Sequence, residues 1–139
     1  MDSTTLLKQL QDSATGTMVE NLGITFLEIN EKGVTASMPV DERTVQPYGI
    51  LHGGASVALA ETIGSIAAQV TAGFDKLCYG VEINANHLRK ATNGETVVGR
   101  TKPIHIGYSL QVWSIEISNE KEELICISRL TVAIRDKIS

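Results

Sequence analysis

Between Arg43 and Asp75 the chain carries one charged residue, Glu61. It sits in the stretch ILHGGASVALAETIGSIAAQVTAG, which is otherwise small and apolar. A carboxylate in such surroundings is costly unless it is paired, hydrated or protonated. That stretch holds no Lys or Arg to pair it. Glu61 is therefore either a structural group hydrogen-bonded across an interface between copies or a nucleophile or general base, and the second reading is favoured. Ser65 lies four residues on, within reach of the same helix face, where it can hydrogen-bond the carboxylate or a water beside it. It serves equally well as a core serine. Gly64 thins the helix at this point and would let a ligand or another backbone approach.

A second group precedes the same helix. His52-Gly53-Gly54 places free backbone N–H groups at a helix N-terminus, where the positive end of the dipole favours a developing oxyanion. An HGG turn by itself is more often a capping turn. Gln46, six residues before His52, is a neutral donor and acceptor in the loop with Pro47 and Tyr48. Gly53 and Glu61 are eight residues apart, which is about 12 Å along one helix. A reacting carbonyl must sit about 3 Å from both the nucleophile and the oxyanion donors. One helix cannot hold both, but two antiparallel copies about a two-fold axis can. The spacing predicts a site built between subunits.

Other polar groups are weaker signals. His87, Arg89 and Lys90 end one strand, and Lys102 and His105 follow in the next. They can line an exit for an anionic cofactor's phosphates. Strand-edge cations commonly just blunt an edge, and His87 and His105 serve equally as structural histidines. Three scattered histidines without carboxylates at ligand spacing do not make a metal site.

The elements that position these groups follow from periodicity. A short helix is expected over residues 4–12, and a helical turn from Thr17 to Leu22 ending at Gly23. The period then becomes two. Ile24 and Phe26 open a strand, Glu31-Lys32-Gly33 turns the chain, and Val34, Ala36, Met38 and Val40 alternate. From Gly54 to Thr71 the Ala-rich run leaves almost no charged face, which predicts a buried helix. Strands follow over 77–87, 96–106 and 109–118, with a turn at Asn119–Glu122. A last strand puts Leu124, Cys126, Ser128, Leu130, Val132 and Ile134 on one face. One long helix among hairpin-connected strands is an α+β fold, an antiparallel sheet wrapped around that helix.

Composition bounds the rest. The 139 residues make one domain, and 42% hydrophobic with 20% charged residues suits a packed core. The net charge of -4 argues against a dedicated nucleic-acid binder. Cys78 and Cys126 show no ligand spacing and are expected as reduced core residues. No apolar run approaches 18 residues and no secretory leader is recognisable, so no membrane span is expected and a cytoplasmic location is.

The segment QPYGILHGGASVALAETIGSIAA resembles the hotdog-fold acyl-CoA thioesterases that carry a glutamate on the central helix. EINANHLRKA, KPIHIG, QVWSIEI and ISRLTVAI extend the resemblance from about Thr17 to Ile134. It implies one hotdog domain over residues 1–139, hydrolysing acyl-CoA as a homotetramer of hotdog dimers. It implies no cofactor, coenzyme A being part of the substrate, and no metal, nucleic-acid or membrane partner. Glu61 corresponds to the family's catalytic glutamate, Gln46 to a glutamine placing carbonyl or water, and His52 to a histidine near the thioester. Gly53 corresponds to the glycine whose N–H polarises the carbonyl, and Ser65 to a serine associated with the hydrolytic water. Gly80, the run His87, Leu88, Arg89 and Lys90, and His105, Ile106 and Gly107 correspond to positions lining the acyl and CoA channel.

VEINANHLR and QVW lean toward members acting on 1,4-dihydroxy-2-naphthoyl-CoA in menaquinone biosynthesis, with proofreading thioesterases almost as similar. Tyr48 and Tyr108 depart from the pattern in those members. The alternatives are a hotdog dehydratase or hydratase and a non-catalytic acyl-CoA-binding module. His52 at the helix start, rather than on a separate His-Phe-Pro loop, argues against the first. Gln46, Glu61 and Ser65 together argue against the second.

Overall fold

In the computed structural model, which describes residues 2–138, the order of elements is two short helices, a hairpin, one long helix and four strands. These are α1 (Ser3–Ser13), α2 (Met18–Asn21), β1 (Thr25–Asn30), β2 (Gly33–Pro39) and α3 (Gly53–Ala72). The strands β3 (Lys76–His87), β4 (Thr96–Ile106), β5 (Leu110–Ser118) and β6 (Leu124–Asp136) follow. All six strands form one antiparallel sheet in the order β1-β2-β4-β5-β6-β3. The expected α+β architecture is therefore present.

Local chemistry sets each boundary. Asp2 caps α1 by accepting the Thr5 N–H at 2.8 Å, and Leu6, Leu7 and Leu10 pack against the core. Thr17 caps α2, and Gly23 follows the C-cap Leu22 with φ of 74°. A residue in that left-handed conformation is most often glycine. In β2 the buried side chains are those at alternate positions, Val34, Ala36 and Met38, and in β6 they include Cys126, Ser128, Leu130, Val132 and Ile134.

The inner stripe of α3 consists of Ala55, Ser56, Leu59, Ala60, Ile63, Gly64, Ala67 and Ala68. These recur at three- and four-residue spacing, which makes one continuous face. Two glycines let that face lie close to the sheet. A Cβ on Gly64 would sit 2.7 Å from Leu130 Cδ2, and one on Gly99 would sit 2.9 Å from Ile63 Cδ1. The space at Gly64 is thus filled by side chains of the sheet rather than by a ligand or another backbone, the two occupants expected from sequence.

The helix differs from expectation in a second way. Only its sheet-facing side is buried; Glu61 is exposed, and Val57, Ala58, Thr62, Ser65 and Ile66 are half-buried. Periodicity could not show this, because alanine suits a packed face and an open one equally. An 18-residue window of α3 has a mean hydropathy of 1.2, so by length and composition alone the helix could cross a membrane, although Glu61 interrupts its apolar run. Its inner face is packed on the sheet. Cys126 is buried and Cys78 only half-buried, so the second is not fully a core residue; both are free thiols. Burial pushes both thiols up from their ordinary range.

Trp113, 1% exposed, donates its indole N–H to Gln111 Oε1 at 2.8 Å inside this core. Trp113→Phe keeps most of the ring volume but leaves a buried amide oxygen unpaired. The expected result is a loss of about 1–3 kcal/mol in urea unfolding, with the m-value unchanged.

Candidate active site

The start of α3 is held by a loop that folds back on itself. The His52 N–H donates to Thr44 C=O at 2.8 Å, Gln46 N–H to Ile50 C=O at 2.9 Å, and Leu51 N–H to Ala91 C=O at 2.8 Å. The last bond ties the segment after β3 to the helix start. Leu88 N–H, bonded to Ile125 C=O at 2.8 Å, anchors the same segment to β6. These ties bring Gln46, Gly53, His87, Leu88, Arg89 and Lys90 around one cleft of about 370 Å³. Six of the residues expected from sequence meet here.

His52 acts as the helix N-cap, its Nδ1 accepting the Gly54 N–H at 2.8 Å. That bond leaves the other ring nitrogen, Nε2, as the one that carries the proton when the ring is neutral. Of the two glycine N–H groups at the helix start, Gly54's is thus taken. The Gly53 N–H, one of the four donors a helix leaves unpaired, has no partner among the described residues. A Cβ on Gly53 would meet His87 Nε2 at 2.9 Å, so the His87 imidazole packs directly on this glycine. The amide oxygen of Gln46 accepts the Tyr48 N–H, which orients the side chain in the cleft wall. Arg89 lies 3.4 Å from Glu123, and with Lys90 it makes one side of the cleft cationic.

Glu61 is not in this cleft. It lines a separate apolar groove of about 360 Å³ with Met18, Val19, Leu22, Gly54, Val57 and Thr62. Gly80 lies beside it, since a Cβ there would be 2.8 Å from Glu61 Oε2. The register explains why. Gly80 pairs with Val132, a buried inward-facing residue, so the missing side chain leaves a hollow on the inner face beside α3. Ser65 borders a third cavity with Leu10, Gln69 and Cys78, and no hydrogen bond joins it to Glu61 among the described residues.

His105, Ile106 and Gly107 also stay away from the cleft. Ile106 pairs with Gln111, Gln111 with Val132, and Val132 with Gly80, which puts Ile106 in the cross-strand row of Gly80. His87 lies seven residues further along β3, about 23 Å away. Most of the expected residues thus fall into two groups: Gln46, Gly53 and His87 to Lys90 at one end of the sheet, and Glu61 with Gly80 in the row that ends on Ile106; His52 lines neither cavity, and Ser65 borders the third.

One cleft residue was not anticipated. Ser56, three residues after Gly53 on the same helix face, lines the cleft and is 1% exposed. The i, i+3 spacing from Gly53 is the signal that would have found it.

Residues 48–126 match the Thioesterase superfamily. The chain is 51% identical over 128 residues to the 1,4-dihydroxy-2-naphthoyl-CoA hydrolase of Escherichia coli strain K12, covering 92% of this chain and 93% of that protein. It is 45% identical over 128 residues to the proofreading thioesterase EntH of Cronobacter sakazakii, with coverage of 92% and 93%. Among solved structures, a thioesterase of Haemophilus influenzae superposes with a TM-score of 0.91 at 44% identity, covering 96% of this chain and 92% of that one. An exposed glutamate on a central helix, an unpaired N–H at its start and this degree of likeness along nearly the whole chain agree. The chain belongs to the thioesterase superfamily and is a hotdog-fold hydrolase of acyl thioesters.

Proposed function

We propose that the chain hydrolyses an aromatic acyl-CoA of the 1,4-dihydroxy-2-naphthoyl-CoA kind, in a site completed by a second copy of itself. The observation that carries the two-copy reading is the separation of the two groups of site residues on one chain. β3 is one of the two edges of the sheet, twelve residues long and largely exposed, and it adjoins the open face of α3. A long unpaired edge beside an apolar face is a template for pairing. Antiparallel pairing of β3 with its copy reverses the second sheet. It carries the partner's Glu61 half towards the Gly53 half of the first chain. Two such dimers make the tetramer expected from the family resemblance, and a cytoplasmic location fits a CoA substrate.

In this site the thioester oxygen lies against the Gly53 N–H at the positive end of α3. Arg89 and Lys90 receive the CoA phosphates. Glu61 from the other chain attacks the carbonyl carbon, expelling the CoA thiolate and leaving an anhydride that water cleaves. Alternatively it takes a proton from the water that attacks. Single turnover in oxygen-18 water separates these routes, because only the anhydride route leaves label in the Glu61 carboxylate. His52 and Gln46 flank the thioester, and Ser65 attends the water. The aromatic acyl group is supported by the relative from Escherichia coli, whose name states that substrate.

Two experiments test this reading. A panel of naphthoyl, benzoyl, phenylacetyl and medium-chain acyl-CoAs should give the highest kcat/KM with the bicyclic substrate. Slow turnover of all alike would replace it with a broad or proofreading role. The site's location is tested by mixing Glu61→Ala and Gly53→Pro chains, each inactive alone. In a two-fold dimer of one chain of each type, one site unites an intact Glu61 with an intact Gly53. Random pairing should then restore about a quarter of parental activity. No recovery after verified exchange would place the site within one chain.

A further inference from the structure

We infer that the Ser56 hydroxyl is a second hydrogen-bond donor to the thioester oxygen, beside the Gly53 N–H; this rests on the catalytic reading proposed above. Among the described residues five polar ones are buried: Thr44, Ser56, Gln111, Asn119 and Ser128. Four are internally satisfied. Thr44 donates to Pro39 C=O at 2.7 Å, and Gln111 accepts from Trp113 at 2.8 Å. Asn119 donates to Glu123 at 2.9 Å, and Ser128 to Asn84 C=O at 2.9 Å. The Ser56 hydroxyl has no partner among the described residues.

Helical hydroxyls commonly fold back on the carbonyl four residues earlier, as Thr62 does to Ala58 at 2.7 Å. For Ser56 that carbonyl is His52's, which instead takes the N–H groups of Ala55 and Ser56 at 3.0 and 3.3 Å. Leaving a buried hydroxyl without a partner costs about 1–3 kcal/mol. No fully enclosed side-chain nitrogen or oxygen lacks a partner among the described residues. The hydroxyl therefore keeps an opening, and the cleft it lines with Gly53, Gln46 and His87 is where that opening leads.

Position selects the acceptor. Ser56 is three residues beyond Gly53, a rise of about 4.5 Å, and side chains on a helix tilt back toward its N-terminus. The hydroxyl thus leans toward the Gly53 N–H. The substrate atom held there is the thioester oxygen, whereas the amides of the CoA arm extend toward Arg89 and Lys90. The hydroxyl keeps its proton throughout; it donates to the oxygen as negative charge develops and transfers nothing.

Ser56→Ala tests this directly. It removes one oxygen, breaks no described hydrogen bond, and introduces the strongest helix former. The expected result is a kcat lowered 10- to 100-fold, with KM and the inhibition constant of free CoA within twofold of the parent. CoA lacks the acyl oxygen, so its binding reports everything except the proposed bond. The melting temperature should be unchanged or raised. A kcat within twofold of an active parent overturns the assignment, as does a loss accompanied by weaker CoA inhibition or a lower melting temperature. A parent that turns over none of the acyl-CoA panel overturns the catalytic reading and this inference together.

Discussion

Glu61→Gln is expected to lower kcat/KM by on the order of 10³-fold or more, while the protein remains folded. Removing a nucleophile or its equivalent general base from an enzyme costs at least this much. At 1.36 kcal/mol per tenfold, the loss is about 4 kcal/mol of transition-state stabilisation. The structure supplies the reason that the fold survives. Glu61 is exposed on the open face of α3, and it makes no hydrogen bond or ion pair with any described residue. Its carboxylate occupies the hollow that Gly80 leaves in β3, so the isosteric amide fits the same space. Thiol release from the preferred acyl-CoA, measured with the melting temperature, checks both halves of the expectation. Activity within tenfold of the parent would remove Glu61 from the mechanism.

Gly53→Pro should lower kcat by about 10²- to 10³-fold, or about 2.7–4 kcal/mol, the cost of deleting one oxyanion donor. A backbone N–H can be deleted only by proline, and position 53 tolerates it for three reasons. Gly53 is the first residue of α3, where proline is favoured and the lost N–H serves no helical bond. His52 has φ of -66° and ψ of 131°, the extended conformation required before proline. The added ring atoms meet the His87 imidazole, a side-chain end on an exposed residue that can move aside. Gly53→Ala is the control, because it meets the same imidazole and keeps the N–H. If alanine and proline lose activity equally, the imidazole clash rather than the donor is responsible. If proline loses none, the helix start plays no part in stabilising the oxyanion.

Much of the architecture follows from patterns a few residues long. The alternation from Val34 to Val40, the alternate core positions of β6 and the Ala-rich run after His52 each specify an element through its own repeat. The observed bounds of α3, Gly53–Ala72, lie within one residue of those expected. Turn chemistry is equally local. The glycines at 23, 73 and 94 all have positive φ, and a Cβ on Gly107 would meet Leu110 C=O at 2.8 Å. The eight-residue spacing of Gly53 and Glu61 is also a local fact, and helix rise alone was enough to place them apart.

The disposition of the site was not legible in this way. Whether the Glu61 side of α3 faces the sheet or the open groove depends on the helix's rotation against the sheet. That rotation is set by Leu59, Ile63 and the close approaches at Gly64 and Gly99. Gly80 belongs with Glu61, and Ile106 with their row, only through pairings across β3, β6, β5 and β4. Ser56 reads in sequence as one more small residue of an alanine-rich helix. Its lack of a partner emerges only when every neighbouring carbonyl has been assigned a donor. The sequence by itself therefore determined the elements, the α+β class and the residues equipped for thioester chemistry, because periodicity and side-chain chemistry are properties of neighbours in the chain. Tertiary structure alone decided which of those residues share a pocket, because helix rotation and strand register join positions far apart in sequence.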